Sequence, residues 1–151
     1  MEPAYGPATG AAGAGTVEEV TTPDPEAVEL AHRLLDLART GSTAELVPYI
    51  DAGVPVDLTD PQGNTLLMLA AYHGHAATVR ELAARGADVD RANDRGQTPL
   101  AGAVFKGEPD VLDALLDAGA DPTAGEPSAL ATARYFGKDE LAARLSGPIG
   151  G

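Results

Sequence analysis

The sequence predicts an all-α solenoid of about four helix-turn-helix units that follows a disordered N-terminal tail. The first observation behind this prediction is a repeat interval of 33 residues, at which glycine and leucine recur: Gly41, Gly74 and Gly107, and Leu34, Leu67 and Leu100. The second is composition, since hydrophobic residues make up 44% of the chain and aromatic residues only 4%. A core of small aliphatic side chains suits close-packed helices better than sheets. A fixed interval of this length is the signature of a stacked repeat array.

The tail and the array have distinct compositions. Residues 1–23 are predicted to be a disordered acidic tail rich in Gly, Ala and Pro, because they offer few side chains that could form a core. The first helix is expected to begin at Pro25, since Asp24 can cap a helix and proline suits the first helical position. The array is expected to cover residues 24–147, with a frayed end at 148–151. Its four units are 24–57, 58–90, 91–123 and 124–147.

Within each unit, particular residues are expected to start and stop the helices. Thr65 and Thr98 can cap the first helix of their units through the side-chain hydroxyl. Gly74 and Gly107 allow the left-handed turn that reverses the chain into a second helix. Pro48 falls within the second helix of the first unit, where proline removes one backbone hydrogen bond.

The two middle units share a longer pattern, which opens as Gly-x-Thr-x-Leu at 63–67 and 96–100 and closes as Gly-Ala-Asp at 86–88 and 119–121. This pattern resembles the ankyrin repeat, and the resemblance extends over roughly residues 27–146. The outer units depart from it, as expected where a terminal unit presents a polar face to water. The last unit is also three residues shorter in the connection before its helices. The resemblance implies a concave groove, formed by the first helices, in which family members hold protein partners.

Aromatic residues recur at one place in successive units. Tyr72, Phe105 and Tyr135 lie two residues before the helix-ending glycine, and Phe136 adjoins the last of them. The resemblance implies that this place faces the concave groove, where aromatic side chains are preferred anchors of protein interfaces. His73 and Lys106 lie next to these aromatics and are expected to add polar contacts. The alternative is that the rings pack between repeats and supplement the alanine-rich core.

The turns that connect the units are expected to supply further contacts to a partner. By the same resemblance these turns project beside the groove, and their tips carry Gln62 and Asn64 in the second unit, and Asp94, Arg95 and Gln97 in the third. Together with the aromatics and their polar neighbours, they form the predicted partner-binding set.

Charge limits the classes of partner. Asp and Glu number 23 against 10 Lys and Arg, a net charge of −13, which argues against nucleic acid and against anionic membranes. The same excess favours a basic protein partner. Asp110, Asp113 and Asp117 are expected to form an exposed acidic stripe, interpreted as a solvated face or as a steering surface for that partner. A cytoplasmic protein is expected, because the first 26 residues lack the basic start of a signal peptide. The protein is also expected to be monomeric.

The sequence offers no set of residues suited to catalysis. It has no Cys and no Gly-x-Ser-x-Gly turn, and we expect neither enzymatic activity nor a cofactor or metal. The predicted function is non-catalytic protein–protein interaction. Two alternatives remain open at this point. One is an immunity or inhibitor protein that masks a toxin or an enzyme, and the other is a metal-binding protein that uses His73 and His75.

Overall fold

The computed structural model describes residues 24–147, and these form an all-α array of four antiparallel helix pairs. The tail predicted for residues 1–23 and the frayed end predicted for 148–151 lie outside the described residues. The helices are α1 (Pro25–Thr40), α2 (Thr43–Asp51), α3 (Leu66–Tyr72), α4 (Ala76–Ala84), α5 (Pro99–Lys106), α6 (Pro109–Asp117), α7 (Ala129–Tyr135) and α8 (Asp139–Ser146). The predicted fold class is confirmed.

The helices stack in two layers. The inner layer contains α1, α3, α5 and α7, each packed against the next, and in the outer layer α2 packs on α4 and α4 on α6. Within each unit the inner helix also packs against its outer helix. A single helix pair cannot bury its own apolar face, so this stacking is the source of the array's stability.

The predicted helix starts and turns are confirmed. The hydroxyl of Thr65 accepts a hydrogen bond from the Met68 amide at 3.0 Å, and Thr98 and Asp24 cap α5 and α1 in the same way. Gly74 has φ +82° after α3, in the left-handed region that a side chain rarely adopts. Pro48 lies inside α2, which continues through it to Asp51.

The repeated leucines lie at the centre of one continuous core. Leu34, Leu67 and Leu100 are each completely buried, in three successive inner helices. Val79 and Leu115 of the outer helices are also completely buried, so the core runs between the two layers. None of the helices within residues 24–147 is long and apolar enough to cross a membrane.

Ion pairs connect neighbouring units along the outer layer, and they involve two acids of the expected acidic stripe. Asp117 accepts a hydrogen bond from Arg80 at 3.0 Å and Asp113 from Arg144 at 2.8 Å, so two of the three acids in that stripe are paired. The pattern along one helix could not show this, because both arginines belong to adjacent units. Each exposed pair stabilises the array by about 1 kcal/mol at most.

Candidate partner-binding groove

The aromatic residues that recur along the chain are exposed at the ends of the inner helices. The exposed fraction is 38% for Tyr72, 57% for Phe105, 82% for Tyr135 and 48% for Phe136. These rings therefore lie outside the fully buried core, although Phe105 also contacts Phe136 of the next unit. Exposed aromatic side chains in one cluster are a feature of binding surfaces rather than of ordinary solvated faces.

The rings surround a cavity of about 520 Å³ on the concave side of α3, α5 and α7, which we call the aromatic groove. Its lining residues are Met68, Tyr72, Gln97, Ala101, Gly102, Phe105, Pro127, Ala131, Thr132, Tyr135 and Phe136. None of these is an acid, a histidine, a lysine or an arginine. The aromatic groove is thus an apolar depression large enough for several side chains or a small ligand.

Contacts between the rings hold the walls of the aromatic groove. The Phe105 and Phe136 ring centres are 5.8 Å apart, and the Tyr135 and Phe136 rings meet edge to face at 5.0 Å. On the opposite wall, the Lys106 ammonium lies 4.5 Å from the centre of the Tyr72 ring, in the geometry of a cation–π contact. These contacts restrict the rings before any partner binds, which lowers the entropy cost of association.

The first unit contributes a cation where the others contribute an aromatic. Arg39 precedes Tyr72 by one repeat interval and so occupies the equivalent place in α1. Its guanidinium lies 2.6 Å from the Asp36 carboxylate and 3.9 Å from that of Asp60. The row of side chains along the inner helices therefore begins with a paired arginine and continues with three rings.

The predicted turn-tip residues lie together beside Tyr72. A second cavity, of about 340 Å³, separates the projecting turns of the second and third units, and all five predicted tip residues line it: Gln62, Asn64, Asp94, Arg95 and Gln97. Because Tyr72, Met68 and Gln97 line both cavities, the turn tips and the aromatic groove form one continuous surface.

Hydrogen bonds within the turns already engage some of these side chains. The Asn93 amide donates to Asn64 at 2.8 Å and to the Gln97 side chain at 2.9 Å. The Asp94 backbone amide also donates to the Gln62 carbonyl at 3.0 Å, which links the two turns. Asn64 consequently holds the turns in register and is partly buried, whereas Gln62, Asp94, Arg95 and Gln97 are exposed at the tips.

The two neighbouring histidines have different surroundings. His75 Nε2 lies 2.8 Å from the Arg39 carbonyl oxygen, so that ring is engaged in packing one unit on another. For His73, desolvation by the surrounding protein lowers the pKa of the imidazole, and the positive charge of Lys106 lowers it further. Within the described residues, no group of three or more His, Asp or Glu side chains is placed to hold a metal ion.

Comparison with known proteins identifies the repeats. A family model described as ankyrin repeats, in three copies, matches residues 34–126. The chain belongs to the ankyrin repeat family. The matched segment ends before α7, so the structure adds a fourth helix pair to the three copies that the family model matches.

Curated relatives share the ankyrin repeats of this chain but are longer. A Pseudomonas aeruginosa protein described as an ankyrin repeat protein is 49% identical over 57 residues, 38% of this chain and 33% of the relative. A Saccharomyces cerevisiae palmitoyltransferase is 40% identical over 94 residues, 58% of this chain and 12% of the enzyme. The human ankyrin repeat domain-containing protein 29 is 47% identical over 62 residues, 40% of this chain and 21% of that protein. The chain spans a third or less of the length of these relatives.

The floor of the aromatic groove was not among the binding residues predicted from the sequence. Met68, Ala101 and Ala131 occupy one repeat position on the inner helices of the ankyrin array, and Gly102 and Thr132 occupy the next. A signal was present, because the residues at both positions become small in the third and fourth units. Small residues on an inner helix leave room on the concave side, so an alignment of the repeats would have located the depression.

Proposed function

We propose that this ankyrin repeat chain is a non-catalytic interaction module that holds a segment of a partner protein in the aromatic groove. Ankyrin repeats generally bind other proteins, and one observation carries the choice of surface: four exposed aromatic rings surround one apolar depression. Buried aromatic anchors in a central pocket dominate the binding energy of protein interfaces.

The lining of the aromatic groove supports binding rather than catalysis. Tyr72 and Tyr135 supply the only titratable groups among the residues that line it. General acid–base catalysis most often uses His, Asp, Glu or Lys, and none of these side chains lines the aromatic groove. The names of relatives that are enzymes apply to much longer proteins, of which this chain matches a small part.

The turn tips extend the proposed interface. Gln62 and Arg95 are exposed beside Tyr72, and a segment that leaves the aromatic groove at this wall would pass between them. His73 and Lys106 flank the same wall, so they would contact the segment's backbone or polar side chains. We take the module to act as a cytoplasmic monomer. If the partner is a toxin or an enzyme, the module would act as an immunity or inhibitor protein. A neighbouring gene that encodes such a partner would favour this alternative.

A substitution that fills the aromatic groove tests this proposal. Gly102 lies within α5 on the floor, and a β-carbon built there would touch only the Tyr72 ring, at an ordinary 3.7 Å. Gly102→Leu should therefore fill the depression and leave the fold intact. The full-length wild type, Gly102→Ala and Gly102→Leu chains are each used to capture proteins from native cell extract. Quantitative mass spectrometry should then show a partner that is captured by wild type and by Gly102→Ala but not by Gly102→Leu. Equal capture by all three chains would exclude the aromatic groove.

A further inference from the structure

Several arginines of the outer layer are neutralised by ion pairs. On the outer helices, arginines are paired with acids of their own or neighbouring units: Arg80 with Asp117 at 3.0 Å, Arg85 with Asp51 at 2.8 Å, and Arg144 with Asp113 at 2.8 Å. These cations are neutralised within the fold.

The cations beside the aromatic groove have no such partners. Among residues 24–147, Lys106 and Arg95 form no ion pair, and both side chains are exposed. The Lys106 ammonium lies over the Tyr72 ring, and Arg95 lines the cavity that adjoins Tyr72. The rim of the aromatic groove thus carries positive charge, at Lys106 and Arg95, that no ion pair within residues 24–147 neutralises.

Three acids lie near the rims of the groove, and two of them are packed against backbone. The Asp94 carboxylate lies against Gly63 of the preceding turn, and the Glu108 carboxylate lies against Gly74, because a β-carbon built at either glycine would meet it. Glu126 precedes Pro127 in the last turn and is exposed. These rim acids do not separate Lys106 from the rings, since its ammonium lies directly over Tyr72.

We propose that the aromatic groove accepts an acidic segment of a partner protein that carries bulky apolar side chains. The proposal rests on the interaction function given above and specifies its partner. The apolar floor, at Met68, Ala101 and Gly102, would receive the apolar side chains, and Lys106 and Arg95 would pair with carboxylates that flank them. Complementary charges at the rim of an interface set specificity and the association rate. The basic partner favoured by the net charge of the whole chain is therefore not the one that these local charges favour.

A random dodecapeptide library displayed on phage tests this chemistry without knowledge of the natural partner. Phage are first selected for binding to the full chain. Phage that also bind the Gly102→Leu variant are then discarded, because their peptides do not require the aromatic groove. We expect the remaining peptides to carry bulky apolar residues and a net negative charge. Neutral or basic peptides that still depend on Gly102 would overturn the proposed chemistry and leave the groove as a binding site. If no peptide depends on Gly102, both this inference and the proposed function fail.

Charge reversal then tests the role of the cations. Lys106→Glu should weaken a selected acidic peptide by about fivefold or more, and the loss should shrink in high salt. Lys138→Glu makes the same change at the start of α8, outside the aromatic groove, and should change the affinity less than about twofold. Equal effects of the two reversals would overturn the role of Lys106. Sedimentation of the full chain tests whether a second copy of the chain occupies the aromatic groove instead. Self-association that Gly102→Leu abolishes would assign the aromatic groove to that second copy and would contradict this proposal.

Discussion

His75 packs on the turn that follows α1, where its Nε2 atom lies 2.8 Å from the carbonyl oxygen of Arg39. The same ring covers Gly41, so that a β-carbon at this glycine would lie 2.5 Å from Nδ1. Gly41 has φ +73°, which a residue with a side chain adopts only with strain. Glycine is therefore required at position 41 by the backbone turn and by the close approach of the histidine. The contact between this turn and His75 joins the first two units.

A pair of glycine substitutions separates these two requirements. Gly107 has nearly the same backbone, at φ +71°, but a β-carbon there would meet nothing within 4 Å. Gly107→Ala should cost about 1 kcal/mol of unfolding free energy, from backbone strain alone. Gly41→Ala should cost at least about 1 kcal/mol more, because the His75 ring must also move. Urea denaturation measures both, and equal losses would show that the contact with His75 contributes nothing.

The core prediction concerns a residue shared between units. Leu100 is completely buried in α5, so Leu100→Ala should lower the unfolding free energy by about 2–5 kcal/mol. A domain of this size is ordinarily stable by about 5–15 kcal/mol, so the variant should melt at a clearly lower temperature. Thermal denaturation followed by circular dichroism measures the change. An unchanged melting temperature would contradict the position of Leu100 in the core.

The titration of His73 gives a prediction for pH. Desolvation and then the Lys106 charge lower its pKa below the ordinary 6.5, so the folded chain binds this proton more weakly than the unfolded chain. The contribution of His73 to stability is then fully present above pH 6.5 and is lost as the pH falls below it. NMR titration should give a midpoint under 6.5, and Lys106→Gln should raise the midpoint while Lys138→Gln leaves it in place. A midpoint at or above 6.5 in wild type would contradict the described environment.

The repeat interval predicted most of the fold because each unit repeats the same local physics. Thr65 and Thr98 cap helices, and Gly74 and Gly107 turn the chain, for reasons that neighbouring residues in the sequence decide. The same interval placed the aromatic residues in one row, and Tyr72 lies in that row with an exposed ring. Properties set within one unit could therefore be predicted.

Contacts between units could not be predicted, because their partners lie about one repeat interval away in the sequence. The pairing of Asp113 with Arg144 across two units is one example. Another is Asn93, whose amide joins two turns and which the sequence analysis did not single out. The depression over Gly102 was missed for a related reason, since a cavity depends on what surrounding residues leave empty. The partner-binding role predicted for the aromatic residues, their polar neighbours and the turn tips stays a prediction.

Two aromatic substitutions test whether the aromatic groove binds a partner. Phe105 is 57% exposed in the aromatic groove, whereas Tyr49 lies on α2, partly buried against the core. The measurement is partner affinity and melting temperature for Phe105→Ala and Tyr49→Ala. We expect Phe105→Ala to lose about 2 kcal/mol or more of binding, roughly thirtyfold, with a near-native melt. Tyr49→Ala should lower the melting temperature and leave the affinity unchanged. A collapse of stability in Phe105→Ala would assign this ring to the core, and full binding by the variant would remove the aromatic groove as the binding site.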